Sequence, residues 1–599
     1  MTRKPLALLA ALSIAACGGG AGTSGQQAGD DGGGPAGDDG GTVTHPDAAP
    51  EGGGGPGTDG GTGPGRDAGA DGSVPVPESA CPLPTASDPV VGQQLPKVSV
   101  DTSWPKLGGK MIAVHAGGDL QAAINSAQPG DTISLDAGAS FTGPFHLSAK
   151  TGTGWIVIES SAVASLPALG GRVGPTDVKS MATILVPDAG NAFVTDPDAQ
   201  GYRIVGLEIA PANASTTGIY DMVLAGDPNQ TSLDHVAHDL IFDRVYLHGT
   251  PTASIKRGIQ MAGASVAVIG SWISDIHVVG QDSQAIGGFN GPGPYRIENN
   301  YLEASTENVL FGGADPTVPN LVPSDIEIIG NHFYKPLTWK SDDPSYAGTA
   351  WAVKNLLELK NAQRVLVACN VIENNWTMGQ VGFAVLFTPR NQSGTAPWCD
   401  VTDVTFVHNV VRHSASAVNV LGTDNDNPSG TLQRVLVSDN VFYDIDGTKW
   451  DGAGMFLEVG AGAQALKVDH NTVLHTGNVI SAYGTPETGF VFTNNVMPHN
   501  AYGVIGDSHA PGNDSIQTFV PSATFQRNAI VALPSGMTSA SYPPDNLFPA
   551  AMTDVQFVNM ASDDYRLQPT SPLHDQATDG TDIGANVTLI DKATAGVAQ

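Results

Sequence analysis

The chain is 599 residues long and carries a formal net charge of -32, from 59 Asp and Glu against 27 Lys and Arg. That balance excludes a surface built as a whole to hold nucleic acid or an anionic membrane, while leaving room for a local basic cleft. Four cysteines in a chain of this length exclude a disulfide framework.

At the start, Arg3 and Lys4 precede an apolar run from Leu6 to Ala16, the layout of a secretory signal peptide over residues 1–17. The run closes on Ile14-Ala15-Ala16-Cys17, which resembles the lipobox of bacterial lipoproteins. The resemblance implies that Cys17 is lipidated and that Gly18 after it directs the protein to the outer membrane or cell surface of a Gram-negative bacterium. A plain cleavable signal peptide is the alternative. An acyl anchor holds a protein on a bilayer without a spanning helix, and no later stretch has the roughly 20 apolar residues that a span needs. Residues 18–78 are Gly, Asp, Pro, Ala and Thr with almost no large apolar side chain, so they read as a flexible tether that cannot offset the entropy of ordering.

From residue 79 to 599 the sequence reads as one domain made of repeats. Apolar-alternating runs ending in a polar residue and Asn recur at Asn300, Asn331, Asn370, Asn409, Asn440, Asn471, Asn495 and Asn528, at intervals of 31, 39, 39, 31, 31, 24 and 33. Upstream, YRIVGLEIA, LIFDRVYLHG and VAVIGSWISDIH repeat the strand without the Asn. A second short strand stands between successive Asn strands, as in ENVLFGG, NLLELKN, FAVLFTPRN, AVNVLGTDN and GMFLEVGAG. Helical spacing is nearly absent, and Gly, Asn, Asp and Pro punctuate the strands. This pattern predicts an all-β fold, a parallel β-helix of roughly 10–12 coils whose core is a stack of Val, Ile, Leu and Phe. The repeated Asn is expected at a sharp corner, in the left-handed conformation that Asn tolerates, and bonded to its counterparts in a ladder.

Two segments then resemble a known family. DLQAAINSAQPGDTISLDAGASFTG, Asp119 to Gly143, is similar to the N-terminal capping helix and first coil of pectate-lyase-like right-handed β-helix proteins, placing an N-cap at about 98–145. DDYRLQPTSPLHDQATDGTDIGA, Asp563 to Ala585, is similar to the tail that follows the last coil, here about 550–599. The resemblance implies a right-handed solenoid, expected to be a monomer. It does not specify a reaction, because one fold hosts many functions.

Function must come from side chains standing outward on one strand row, where alternate residues face solvent and coils lie about 4.8 Å apart. With Leu357 and Leu359 inward, Glu358 and Lys360 point outward. With Val385 and Phe387 inward, Thr388 is outward and Arg390 lies just past the strand. The neighbouring coils offer Glu307, Asn308 and Asp315 on one side, and Asn419, Asp424 and Asp426 on the other. The order Lys360-Asn361, Arg364, Asn370, Arg390-Asn391 is loosely similar to alginate and chondroitin lyases of this fold. That resemblance implies Lys360 as base and Arg390 as partner cation, with Glu358 beside them. Glu307 and Asn308, with Asp315, would hold Ca²⁺, and Lys354, Trp376, Asn391 and Asp424 would contact substrate.

The expectation is a polysaccharide lyase cleaving a uronic-acid polymer by β-elimination, in which a cation neutralises the carboxylate and a base removes the C5 proton. One alternative is a non-catalytic glycan-binding or adhesive display module. A further one is a glycoside hydrolase drawing on two of Glu307, Asp315, Glu358, Asp424 and Glu458. No histidine spacing resembles a zinc site. Trp339, Trp351, Trp376, Trp398 and Tyr334 either stack on sugars or pack loops. Cys369 and Cys399, 30 residues apart, are expected to bond across neighbouring coils with Cys81 left over, or to remain two buried thiols.

Overall fold

The computed structural model describes residues 81, 82, 90 and 92–598. The signal peptide, Cys17 and the tether lie outside the described residues. Within them, three parallel sheets of 14, 12 and 13 strands run side by side. Each coil gives one strand to each sheet in turn. Ala362–Ala368 belongs to sheet A, Val371–Asn375 to sheet B and Phe383–Phe387 to sheet C, and Val401–Val407 then pairs in parallel with Ala362–Ala368. Parallel pairs need crossovers, and these are right-handed. The chain is an all-β, right-handed parallel β-helix, with slightly more rungs than the roughly 10–12 coils expected, because its first coils lack the corner Asn that marks the rest.

The core follows from the register. Val309, Leu357, Val385, Val418, Leu457 and Ile480 are successive partners on sheet C and stack as one buried column. Helix α1, Leu120–Ser126, covers the first coil: Asp119 caps it by accepting the Ala122 N–H, and Leu120, Ala123 and Ile124 are buried. At the far end, helix α2, Asn513–Phe519, lays Ile516 and Phe519 over the last coils.

The Asn ladder forms between sheets A and B. Each Asn Oδ1 accepts the backbone N–H and the side-chain amide of the Asn one coil earlier, as Asn409 does for Asn370 at 3.0 and 2.9 Å and Asn440 for Asn409 at 2.8 and 3.1 Å. The run from Asn300 to Asn528 is fully buried. It continues to Asn546, and it begins at Ser271, whose N–H donates to Asn300 Oδ1. One expectation is corrected: the left-handed residue is not the ladder Asn but the one before it. Asn299, Gly330, Cys369, His408, Asp439, His470, Asn494 and Arg527 have φ between 50° and 63°. The corner needs its second residue extended so that the amide can reach along the stack.

Two segments brace the outside. Residues 92–104 run along sheet A toward the N-terminal end: Gln93 bonds Val404 O and Thr405, the Gln94 N–H bonds Asp403, the Lys97 N–H bonds Asp325, and Arg203 holds the carbonyls of Thr102 and Ser103. The tail after residue 550 folds back over sheet B and ends in helix α3, Val587–Ala593, with Val587 and Ile590 packed among Val441, Tyr443 and Tyr565.

The disulfide expectation is also corrected, since Cys369 bonds Cys81, joining the outer brace to a ladder corner. Cys399 precedes the strand Val401–Val407, whereas Cys369 follows the paired strand Ala362–Ala368. The two therefore sit at opposite ends of a strand, roughly 20 Å apart at 3.3 Å per residue. Cys399 is a buried thiol, pushed up to about 12 mainly by that burial.

Candidate functional site

The outer face of sheet C carries a polar row set by register. Asp221, Arg257, Gln284 and Glu307 are successive partners on four coils. Arg257 donates to Asp221 at 2.8 Å and to Gln284 Oε1 at 3.1 Å, and Gln284 Nε2 donates to Glu307 Oε2 at 2.8 Å. Such outward charge on a sheet otherwise filled with Val, Leu and Gly costs desolvation, which the chain of mutual bonds offsets.

Lys354 arrives from the loop before Leu357–Leu359. Its ammonium pairs with Asp282 and lies 3.9 Å from Glu307 Oε1. Lys360, at the end of the same strand, lies 3.7 Å from Glu358, which also accepts from Asn355 at 3.1 Å. Lys256 donates to the Tyr220 hydroxyl oxygen at 2.9 Å, and the Tyr220 ring is 57% exposed. Beside this cluster opens a cleft of about 870 Å³. Tyr220, Asp221, Lys256, Arg257, Asp282 and Gln284 line it, together with the loops carrying Asp227, Asp315, Ser393 and Thr395.

Electrostatics separate the carboxylates. Burial, then the Asp282 charge, push Glu307 up to about 7 against the pull of Lys354. For Asp282 burial acts in the same sense, but Lys354 and Lys360 outweigh it and hold it below the usual range. The two lysines move the other way: burial lowers each, and the carboxylates around them more than restore the charge, leaving both above the ordinary lysine value. Lys360 is thus favoured as a cation beside Glu358.

Of the residues expected at the site, the structure brings together Lys354, Glu358, Lys360 and Glu307. Arg390 and Asp424 pair at 2.8 Å, the Asn391 N–H also donates to Asp424, and the Arg390 N–H donates to Lys360 O at 2.9 Å. Asn391 spends its side chain on Pro428 O and the Ala396 N–H, so this trio laces the loops that follow sheet C. Trp376 is not a sugar platform: it is buried with Trp339, Trp351 and Val353.

The three residues expected to hold Ca²⁺ do not converge. Asn308 points behind the strand, accepting from the buried Lys335 ammonium at 2.9 Å and donating to Leu302 O and Tyr334 O. Asp315 Oδ2 takes the N–H groups of Ser393 and Thr395. No group of three or more His, Cys, Asp or Glu among the described residues is placed to hold a metal ion. The donor set does not fit the ion.

Lys256, Arg257, Asp221, Asp282 and Gln284 were not singled out from the sequence. The adjacent Lys-Arg pair in the alternating run SIKRGIQ was the available signal, hidden because its coil precedes the first ladder Asn.

No protein-family profile matches the chain, and no curated protein matches it. Among solved structures it is similar to the catalytic unit of a thermostable GH87 alpha-1,3-glucanase from Streptomyces thermodiastaticus, at 13% identity over 74% of this chain and 69% of that one, TM-score 0.41. It is similar to a mannuronic-acid-specific polysaccharide family 6 lyase from human gut microbiota, at 10% identity over 73% and 91%, TM-score 0.37. Pectate lyase Pel9A gives 14% identity over 83% and 98%, TM-score 0.28. At these identities, and with every TM-score below 0.5, the likeness says nothing of this chain's chemistry.

Proposed function

We propose that the protein is a carbohydrate-active enzyme that takes a uronic-acid-containing polymer into the sheet C cleft and cleaves it by β-elimination. The observation that carries this reading is the gathering of Lys256, Lys354 and Lys360 around Asp282 in a chain of net charge -32. Cations held charged by buried carboxylates suit neutralisation of a uronate, which makes its C5 proton acidic. Glu307, titrating near 7, suits proton transfer at neutral pH. Arg257, anchored by Asp221 and Gln284, would orient the polymer. The lipid anchor and outer-membrane address implied by Cys17 would hold this activity at the cell surface, acting on polymer from outside.

A second reading, hydrolysis, is favoured by one observation: Asp282 and Glu307 share the Lys354 ammonium while their environments drive their protonation apart. A carboxylate kept ionised beside one kept protonated is the arrangement glycosidases use. The deciding experiment incubates residues 81–599 with a panel of uronic-acid and neutral polymers and follows both the ultraviolet absorbance of unsaturated ends and the release of reducing ends. Elimination predicts absorbance that rises with wild type and falls at least a hundredfold in Lys354→Met. Reducing ends without absorbance would replace it with hydrolysis. Binding with neither product would leave a glycan-capture module.

A further inference from the structure

On the strand Ile255–Met261, Ile259 and Met261 are core residues, so Gln260 between them points outward, toward the cleft side of sheet C. Its register neighbours are Leu224 on one coil and Gly287 on the next, followed by Leu310; both leucines line the cleft. Gly287 leaves a gap in this row, and the Arg257 side chain lies across it: a Cβ built there would meet Arg257 Nε at 2.8 Å. Gln260 is therefore fully covered, yet neither its amide nitrogen nor its amide oxygen has a hydrogen-bond partner.

An orphaned buried amide is costly, about 1–3 kcal/mol for each unsatisfied group, and native proteins rarely retain one without a use. Its neighbours offer no compensation, since Leu224 and Leu310 are apolar and Arg257 is committed to Asp221 and Gln284. A carboxamide presents one donor and one acceptor side by side. A ligand group with the complementary pair in the same spacing, offered beside an apolar patch, would satisfy it.

We propose that Gln260 is a specificity residue at the floor of the cleft, reached when the Arg257 guanidinium exchanges its bonds to Asp221 and Gln284 for the polymer and leaves Gly287, and that it reads a sugar substituent presenting an acceptor and a donor together. Two substituents have that chemistry: a vicinal hydroxyl pair and an acetamido group, whose methyl would lie on Leu224 and Leu310. The inference rests on the cleft being the glycan site.

The test is Gln260→Met, which keeps the length and removes both polar atoms, made in residues 81–599 with Gln260→Leu as second variant. Thermal unfolding is measured without ligand, and polymer binding by affinity electrophoresis in gels containing polyuronates with and without N-acetylated sugars. Removing an orphaned amide is expected to leave the unfolding temperature unchanged or raise it, while binding falls at least tenfold. If binding falls only for the N-acetylated polymers, the acetamido group is the one read; if it falls for all, the hydroxyl pair is. A clear drop in unfolding temperature for both variants would make the amide a structural partner and overturn the proposal, as would unchanged binding in a stable variant. The unfolding arm needs no polymer. A wild-type chain that binds nothing in the panel would therefore sink the glycan cleft itself and, with it, the reading assigned to Gln260.

Discussion

Single side chains on sheet C are tuned by what lies beneath and beside them. Glu458, two coils beyond the strand Phe383–Phe387, is 8% exposed and accepts one bond from Asn419 at 2.8 Å. Burial, with a smaller push from Asp507, raises it to about 7. A carboxyl group whose folded value lies above its unfolded one binds more protons in the folded state between those values. Its contribution is therefore most favourable below about pH 4.5 and is lost as pH rises toward 7. Glu458→Gln should unfold at the same temperature as wild type at pH 4 and be more stable at pH 8 by roughly 2–3 kcal/mol, checked by urea unfolding at both values. At this scale the sequence was only partly legible. Alternation with Leu357 and Leu359 put Glu358 and Lys360 outward, and the two lie 3.7 Å apart beside the Asp282 and Glu307 charges. Arg390 lies past the end of its strand, where alternation does not say which way a side chain turns, and there it turns to Asp424. No feature of the sequence could say that Lys360 would be pinned as a cation, since that depends on which carboxylates the neighbouring coils bring beside it.

At the level of strands and corners, the ladder is what makes the coil repeat mechanically. Asn409 Oδ1 satisfies two donors of Asn370, while its amide nitrogen reaches Val367 O and Asn440. Asn409→Ala leaves the Asn370 N–H buried and unpaired, a cost of about 2–4 kcal/mol. Because each coil touches mainly its neighbours, hydrogen exchange should quicken at residues 368–372 and 407–411 first, with distant coils protected; uniform acceleration along the chain would contradict the ladder's local role. The strands were legible because a period near 31 with constant Asn survives loops of any length. The corner conformation was not, since a two-residue turn can place its left-handed residue first or second, and only the reach of the amide along the stack decides. Trp339, Trp351 and Trp376 show the same limit: aromatic residues in loops read alike whether they face a sugar or each other, and their mutual burial appears only once the loops are stacked.

Across the whole molecule, the helix, its caps and its two outer braces form one body, and the longest covalent link in it is Cys81 to Cys369, 288 residues apart. Closing so long a loop stabilises by about 5–6 kcal/mol in the chain-entropy view. Cys81→Ser, or wild type under reducing conditions, should unfold several degrees lower in a thermal scan, while Cys399→Ser should keep the wild-type loss on reduction. An equal effect at Cys399 would mean that the bond had been assigned to the wrong partner. The spacing of 30 residues misled here because a coil's length in sequence says how many rungs separate two residues, not which end of the rung each occupies.

That bond also decides how the body would hang from whatever holds residues before Cys81. Cys369 stands at the corner between sheets A and B, the one corner that sheet C does not share, and at the ninth of the 14 rungs of sheet A. A pull from the N-terminal side therefore enters near the middle of the rod and on its back. The rod would swing broadside like a boom from a single pivot, with sheet C and its cleft on the side away from that pivot.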